Sequence, residues 1–231
     1  MAQSFFSEIR RALSSERFES YDYSGSDSDE KMLARYLWNM ALCRSLYPVL
    51  QGLEIALRNS LHHAISNREG TELWFRKRHG VVQGDYGKST VGRAISRAKK
   101  ASGQTTAGHV IAELSFGFWT SLFNRRYDQD LWPALLEDVF PEAPRKIRTT
   151  KFMRAELNKM RNLRNRIFHH EPVWHWSDLE DQHDQALNLI EWICPAWRTT
   201  VEIEDRFPEV HSNGLTPFES SVEDAVDNHS P

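Results

Sequence analysis

Cysteine is scarce, with only Cys43 and Cys194 in 231 residues. Two thiols cannot build a disulfide framework or a multi-cysteine zinc site, so the expected setting is a reducing cytoplasm. Glycine and proline are also few, 11 and 9, which excludes collagen-like and low-complexity chains. No apolar run reaches the length of a membrane span, and Met1 to Arg11 lacks the apolar core of a signal peptide. The motifs Gly-x-x-x-x-Gly-Lys, Gly-x-Gly-x-x-Gly and Gly-x-Ser-x-Gly are all missing. Kinase, dehydrogenase and α/β-hydrolase readings therefore have no footing. Alternation of period two is missing as well, which leaves no pattern for a half-buried strand.

What the chain does have is apolar bulk. It is 40% hydrophobic, with 12 Phe, 8 Trp and 6 Tyr, enough for a buried core and too much for a wholly disordered chain. Asp27 and Glu30 have the spacing of a capping box, and Met32, Leu33, Tyr36, Leu37, Met40 and Ala41 then recur at helical intervals. Pro48 reads as the start of a next helix, with a stripe of Leu50, Leu53, Leu57, Leu61 and Ile65. Residues 79–88 hold three glycines and read as a loop; a short basic helix over 90–101 and a loop from Ser102 to Gly108 follow. The segment 109–123 is apolar nearly all round, as a buried or interface helix would be. Pro141 and Pro144 bracket the entry to a helix from about Thr149 to His170, whose buried side is Phe152, Leu157, Met160, Leu163 and Ile167. Pro172 stops it. Ser177 and Glu180 form a second capping-box pattern for a helix over 178–194, closed by Pro195. The expectation is an all-α bundle of about five to seven helices: a helical or linker segment over 1–26, the main domain over 27–203, and a flexible acidic tail over 204–231.

Charge of either sign is nearly balanced, a net of -3 from 29 bases and 32 acids, but it is unevenly spread. Residues 202–231 carry eight acids and one base, so the remainder is net positive. Residues 145–166 carry nine bases against the single acid Glu156. Such a run is either a solvated helix face or an electrostatic footprint for a polyanion. The tail has two readings, a solubility aid or a segment that folds back on the basic face and competes with RNA.

The stretch Arg161-Asn162-Leu163-Arg164-Asn165-Arg166-Ile167-Phe168-His169-His170-Glu171-Pro172 ends this basic helix. At about 100° per residue, Arg161, Asn165 and His169 fall on one face, and Arg164 is offset from His169 by roughly 140°. Arg, Asn and His on a basic face suit metal-free cleavage of an RNA phosphodiester. A His moves protons of the 2′-hydroxyl or leaving oxygen, an Arg stabilises charge on phosphorus, and an Asn orients. The alternative is that cations at a helix end only complement its dipole. His170, Glu171 and His175 have the wrong spacing for a zinc-protease motif, and no metal or other cofactor is expected. Trp174 and Trp176 either stack on RNA bases or cover the bundle end. An echo at Arg58-Asn59-Ser60-Leu61-His62-His63 is read either as a within-helix Glu54–Arg58 pair or as a second wall of an RNA cleft.

The string Leu-Arg-Asn-Arg-Ile-Phe-His-His-Glu-Pro over 163–172 contains Arg164-Asn165-x-x-x-His169 and closely resembles the Abi-like (abortive infection, AbiD/AbiF type) branch of the HEPN superfamily of all-α RNases. Leu53 to Asn59, Glu113 to Trp119 and Ile190 to Ile193 resemble the same branch, so the similarity spans about residues 30–197. The resemblance implies a HEPN-like helical bundle that dimerises and brings two such motifs into a composite cleft. It implies a metal-independent endoribonuclease of phage defence or a toxin system, with Arg164 and His169 as the catalytic pair and Asn165 as accessory. Arg161, Arg166, His170, Lys159, Arg154, Lys151, Arg58 and Asn59 are the candidate RNA-binding residues. The expected partners are RNA, a second copy of the chain and a neutralising RNA or protein, with no membrane. The rival expectation is a non-catalytic RNA- or protein-binding module of the same fold.

Overall fold

In a computed structural model, residues 2–77, 80–103 and 105–229 are described. Met1, the ends of the expected tail (Ser230 and Pro231) and His79 of the expected 79–88 loop lie outside them, as does Gln104 of the loop that follows Ser102. Among the described residues the chain is all-α, with no strand. The helices are α1 (Ala2–Leu13), α2 (Ser15–Glu19), α3 (Asp29–Glu69), α4 (Gly84–Ser102), α5 (Ala107–Ala112) and α6 (Phe116–Ser121). They continue with α7 (Leu136–Val139), α8 (Thr150–Phe168), α9 (Leu179–Ile193), α10 (Pro195–Glu202), α11 (Phe207–Asn213) and α12 (Thr216–Asn228). No helix is long and apolar enough to cross a membrane among the described residues.

Among the described residues twelve helices replace the expected five to seven, for local reasons. The apolar 109–123 segment is two short helices, broken where the Ser115 carbonyl takes the amides of Phe118 and Trp119 as a new first turn. In the other direction, Pro48 does not start a helix but lies inside the 41-residue α3. Asp27 does not cap α3 either. Ser28 holds that place, accepting the Lys31 amide at 3.4 Å through its hydroxyl. Asp27 instead pairs with Arg35 at 2.5 Å and accepts the amides of Tyr23 and Ser24 at 2.9 and 3.1 Å.

The chain divides into two compact units. One comprises Val49–Asn162 and Asp184–Ile203. Its core joins the α3 stripe Leu53, Leu57, Leu61 and Ile65 to Trp74, Phe118, Trp119, Phe123, Trp132 and Phe140, with Met153, Leu157 and Met160 from α8. Gly52 is where α10 comes close: Trp197 Nε1 donates to the Gly52 carbonyl at 3.0 Å.

The other unit comprises Met1–Pro48, Leu163–His183 and Glu204–Pro231. Phe6 of α1, Phe18 of α2, Tyr21, Met32, Leu33, Ala34 and Val222 of α12 form a buried cluster. The acidic segment from 204 is therefore not a flexible tail in its described part: it forms α11 and α12. Phe207 is buried, its ring stacked against His183 at 4.5 Å and His211 at 5.1 Å. Beside it, buried His183 Nε2 lies 2.7 Å from Asp205 Oδ2. Composition hid this, because the few apolar residues among the acids sit at the inward positions of each helix.

Candidate functional site

The helix α8 forms where the sequence places it. The Thr149 hydroxyl accepts the Phe152 amide at 3.2 Å, capping the start. Met153, Leu157, Met160, Leu163 and Ile167 are buried at spacings of three and four. Glu156, the one acid in the basic run, is on the buried side and pairs with Lys159 at 3.1 Å.

The end of α8 is built by backbone. The His169 amide still donates to the Asn165 carbonyl at 2.9 Å, so His169 keeps helical register with Asn165 four residues earlier. His170 then turns left-handed at φ 58°. Its amide donates to the Ile167 carbonyl at 3.0 Å and the Glu171 amide to the Arg166 carbonyl at 2.9 Å. That pair of bonds is a Schellman motif with a histidine in the position glycine usually fills. Pro172 follows, and the Val173 and Trp174 amides donate to Asn39 Oδ1 at 2.8 and 3.2 Å.

Asn165 and His169 are both exposed at this corner, and Arg164 is half-buried. The Arg164 guanidinium lies over the Phe168 ring, 4.1 Å from its centroid. Phe168 is 44% exposed and its ring neighbours Tyr47, itself 45% exposed, at 5.9 Å. The catalytic candidates thus lie at one end of α8, within one unit.

The RNA-binding candidates divide. Arg166 is engaged in holding the corner: it pairs with Glu171 at 3.2 Å, donates to the Pro172 carbonyl at 3.2 Å and lies over the Trp176 ring. Its positive charge, after burial, holds the His175 imidazole below its ordinary pKa. Arg154 donates to the Phe123 carbonyl and pairs with Asp128, a packing role. Lys151 and His170 are exposed and Arg161 half-buried. Arg161, Lys159, Arg154 and Lys151 belong to the unit that holds most of α8, as do Arg58 and Asn59 on α3. Arg58 Nε is buried without a hydrogen-bond partner. In the echo string, His62 Nδ1 accepts from Trp74 Nε1 at 3.0 Å, and burial lowers its pKa. It lines a shallow cleft of about 430 Å³ with His63, Ser66, Asn67, Thr71 and Glu72.

Of the two tryptophans, Trp174 covers the unit's end. It stacks on Tyr21 at 6.5 Å and beneath the Arg35 guanidinium at 5.2 Å. Among the described residues no group of three or more His, Cys, Asp or Glu side chains is placed to hold a metal ion. Sequence reasoning missed Arg17 of α2, whose Nη2 donates to the His170 carbonyl at 3.0 Å from 153 residues away. No local pattern announces such a contact. No family model, curated protein or solved structure matches the chain.

Proposed function

We propose that the chain is a metal-independent endoribonuclease of the Abi-like HEPN kind. The observation that supports it most is the exposed His169 in helical register with Asn165, five residues on from Arg164, at the end of α8, which carries six of the nine bases of 145–166. In this reading RNA is drawn to the basic helix by its phosphates. His169 transfers the proton of the 2′-hydroxyl or of the leaving oxygen, and Arg164 stabilises charge on the pentacoordinate phosphorus. Asn165 orients the imidazole or a phosphate oxygen. The products are a 2′,3′-cyclic phosphate, or its hydrolysis product, and a 5′-hydroxyl. The biological setting is cytoplasmic phage defence or a toxin system, with a neutralising RNA or protein.

The catalytic unit in this proposal is a homodimer. The offset of roughly 140° between Arg164 and His169 on an ideal helix separates them within one chain. An Arg164 from one copy then serves the His169 of the other. Exposed Phe168, Tyr47 and Met40 in the same unit supply apolar surface for that contact.

Mixed cellular RNA incubated with the purified protein in EDTA tests the reading. Cleavage that survives EDTA and falls at least about 10²-fold in His169→Ala is the expected outcome. Equal cleavage by both proteins sinks it. Mixing Arg164→Ala with His169→Ala chains should recover part of the activity if the sites are composite, and no recovery removes the trans arrangement. The second reading, an RNA-binding module without catalysis, draws on the Arg164 guanidinium held over Phe168, a cation presented on an aromatic ring. It expects RNA binding with no cleavage.

A further inference from the structure

Two non-glycine residues among those described have left-handed backbones, Ser14 at φ 68° and His170 at φ 58°. Arg17 connects them. The Ser14 hydroxyl caps α2 by accepting the Arg17 amide at 3.3 Å, and the Arg17 guanidinium donates to the His170 carbonyl at 3.0 Å. The next residue, Phe18, is fully buried and fixes α2 as the base from which that guanidinium reaches.

A left-handed conformation costs an L-residue with a Cβ free energy that glycine does not incur, and it persists only where surrounding contacts over-determine it. At His170 those contacts come from two sides. The two Schellman bonds hold its peptide groups to α8, and Arg166 holds Glu171 and the Pro172 carbonyl just beyond. Two contacts arrive from outside this helix end: Asn39 takes the amides of Val173 and Trp174 further on, while Arg17 grips the carbonyl of the left-handed residue itself. His169 immediately precedes that residue, so the peptide geometry at 170 sets where the His169 backbone leaves the helix.

We infer that Arg17 is a positioning residue for His169, acting through the left-handed corner at His170 and not through RNA. This rests on the reading of His169 as the proton-transfer group. It makes a specific demand: the contact becomes dispensable when residue 170 is glycine, for which the left-handed region carries no steric cost.

A double-mutant cycle tests it, using the full chain as wild type, Arg17→Ala, His170→Gly and the double variant. Two readouts are taken on each: EDTA-resistant RNA cleavage across pH, and the ring 1H–13C resonances of His169, assigned by their loss in His169→Ala. In the wild-type background Arg17→Ala should lower cleavage about tenfold, the order of effect a small displacement of a catalytic group produces, and move the His169 resonances. Arg17→Lys, which keeps a donor, should retain most of the activity. In the His170→Gly background the same Arg17→Ala substitution should change the rate less than about twofold and leave the resonances in place. An Arg17→Ala effect of equal size in both backgrounds overturns the inference, since Arg17 then acts on RNA directly. His169 resonances unmoved by Arg17→Ala also overturn it. That arm needs no turnover, so it stands apart from failure of the nuclease reading, which would show as no cleavage by the wild type.

Discussion

Asp27 sits where a helix cap is expected and does something else. Its carboxylate is nearly buried, 6% exposed, against an Arg35 side chain that is 7% exposed. Arg35 also donates to the Tyr21 carbonyl at 2.9 Å and lies over the Trp174 ring. One carboxylate thus ties the loop before α3 to the cluster that covers the segment after α8. The Arg35 hydrogen bond holds the Asp27 pKa well below the ordinary carboxylate range, helped by the Ser24 and Tyr23 amides and by Lys31. A carboxyl depressed in the folded state contributes stability that is present above its unfolded pKa and lost as pH falls through the folded value. Urea unfolding followed from neutral pH downward should therefore show stability falling steeply below roughly pH 4. Asp27→Asn should be less stable at neutral pH and should flatten that acid slope. An unchanged slope in the variant would place the acid sensitivity elsewhere. The sequence pattern Asp27-x-x-Glu30 was sufficient to find the helix start to within two residues. It could not reveal that Ser28 would cap and Asp27 would pair, because the competitor for the carboxylate, Arg35, lies eight residues on within α3, outside the spacing of a capping box.

Helices α3 and α8 show what periodicity can and cannot deliver at the level of elements. For α8 the proline stop and most of the stripe agree, although Phe152 is only half-buried and Met153 takes its place in the core, and the helix runs Thr150–Phe168 against an expected Thr149 to His170. The candidate site was legible for the same reason: Arg164, Asn165 and His169 are local to one helix end. What was not legible is the left-handed turn at His170 and its anchor on Arg17: a histidine stands where glycine usually signals such a turn, and the anchor spans 153 positions. For α3 the proline was misleading. A Pro inside a helix removes one backbone donor and crowds the preceding turn, yet buried residues on both sides of Pro48, Leu46 before it and Val49 and Leu50 after it, keep the helix continuous. Further along α3, Gly52 is a packing requirement. A Cβ added there would lie 2.7 Å from Val201 Cγ2, and Val201 is a buried, β-branched residue of α10 with little room to move. Gly52→Ala should gain helix propensity but lose more by overpacking, a net destabilisation of about 1–3 kcal/mol read from chemical denaturation. A stabilised variant would mean that α10 yields easily.

Over the whole molecule the near-neutral charge conceals a basic helix and an acidic C-terminal segment, and the fold changes what can be asked of that segment. Deleting 204–231 would be the natural test of whether its acids compete with RNA for the basic face. It is the wrong test, because Phe207 and Val222 are core residues and Asp205 is the partner of buried His183. Removing two such apolar side chains alone forfeits about 3–6 kcal/mol, a large fraction of the stability of an ordinary domain. The truncated chain should therefore lose its cooperative unfolding transition and become protease-sensitive. Glu204, Glu209, Glu223 and Asp224 are exposed and can be neutralised without touching that core. Replacing all four by Gln or Asn raises the net charge from -3 to +1. The variant should keep the wild-type melting temperature and bind RNA several-fold more tightly at low ionic strength. The gain should vanish as salt shortens the Debye length to about 8 Å near physiological strength. A salt-independent gain would point to direct contact between RNA and the C-terminal helices, and no gain at low salt would confine the acidic segment to its structural part in the fold.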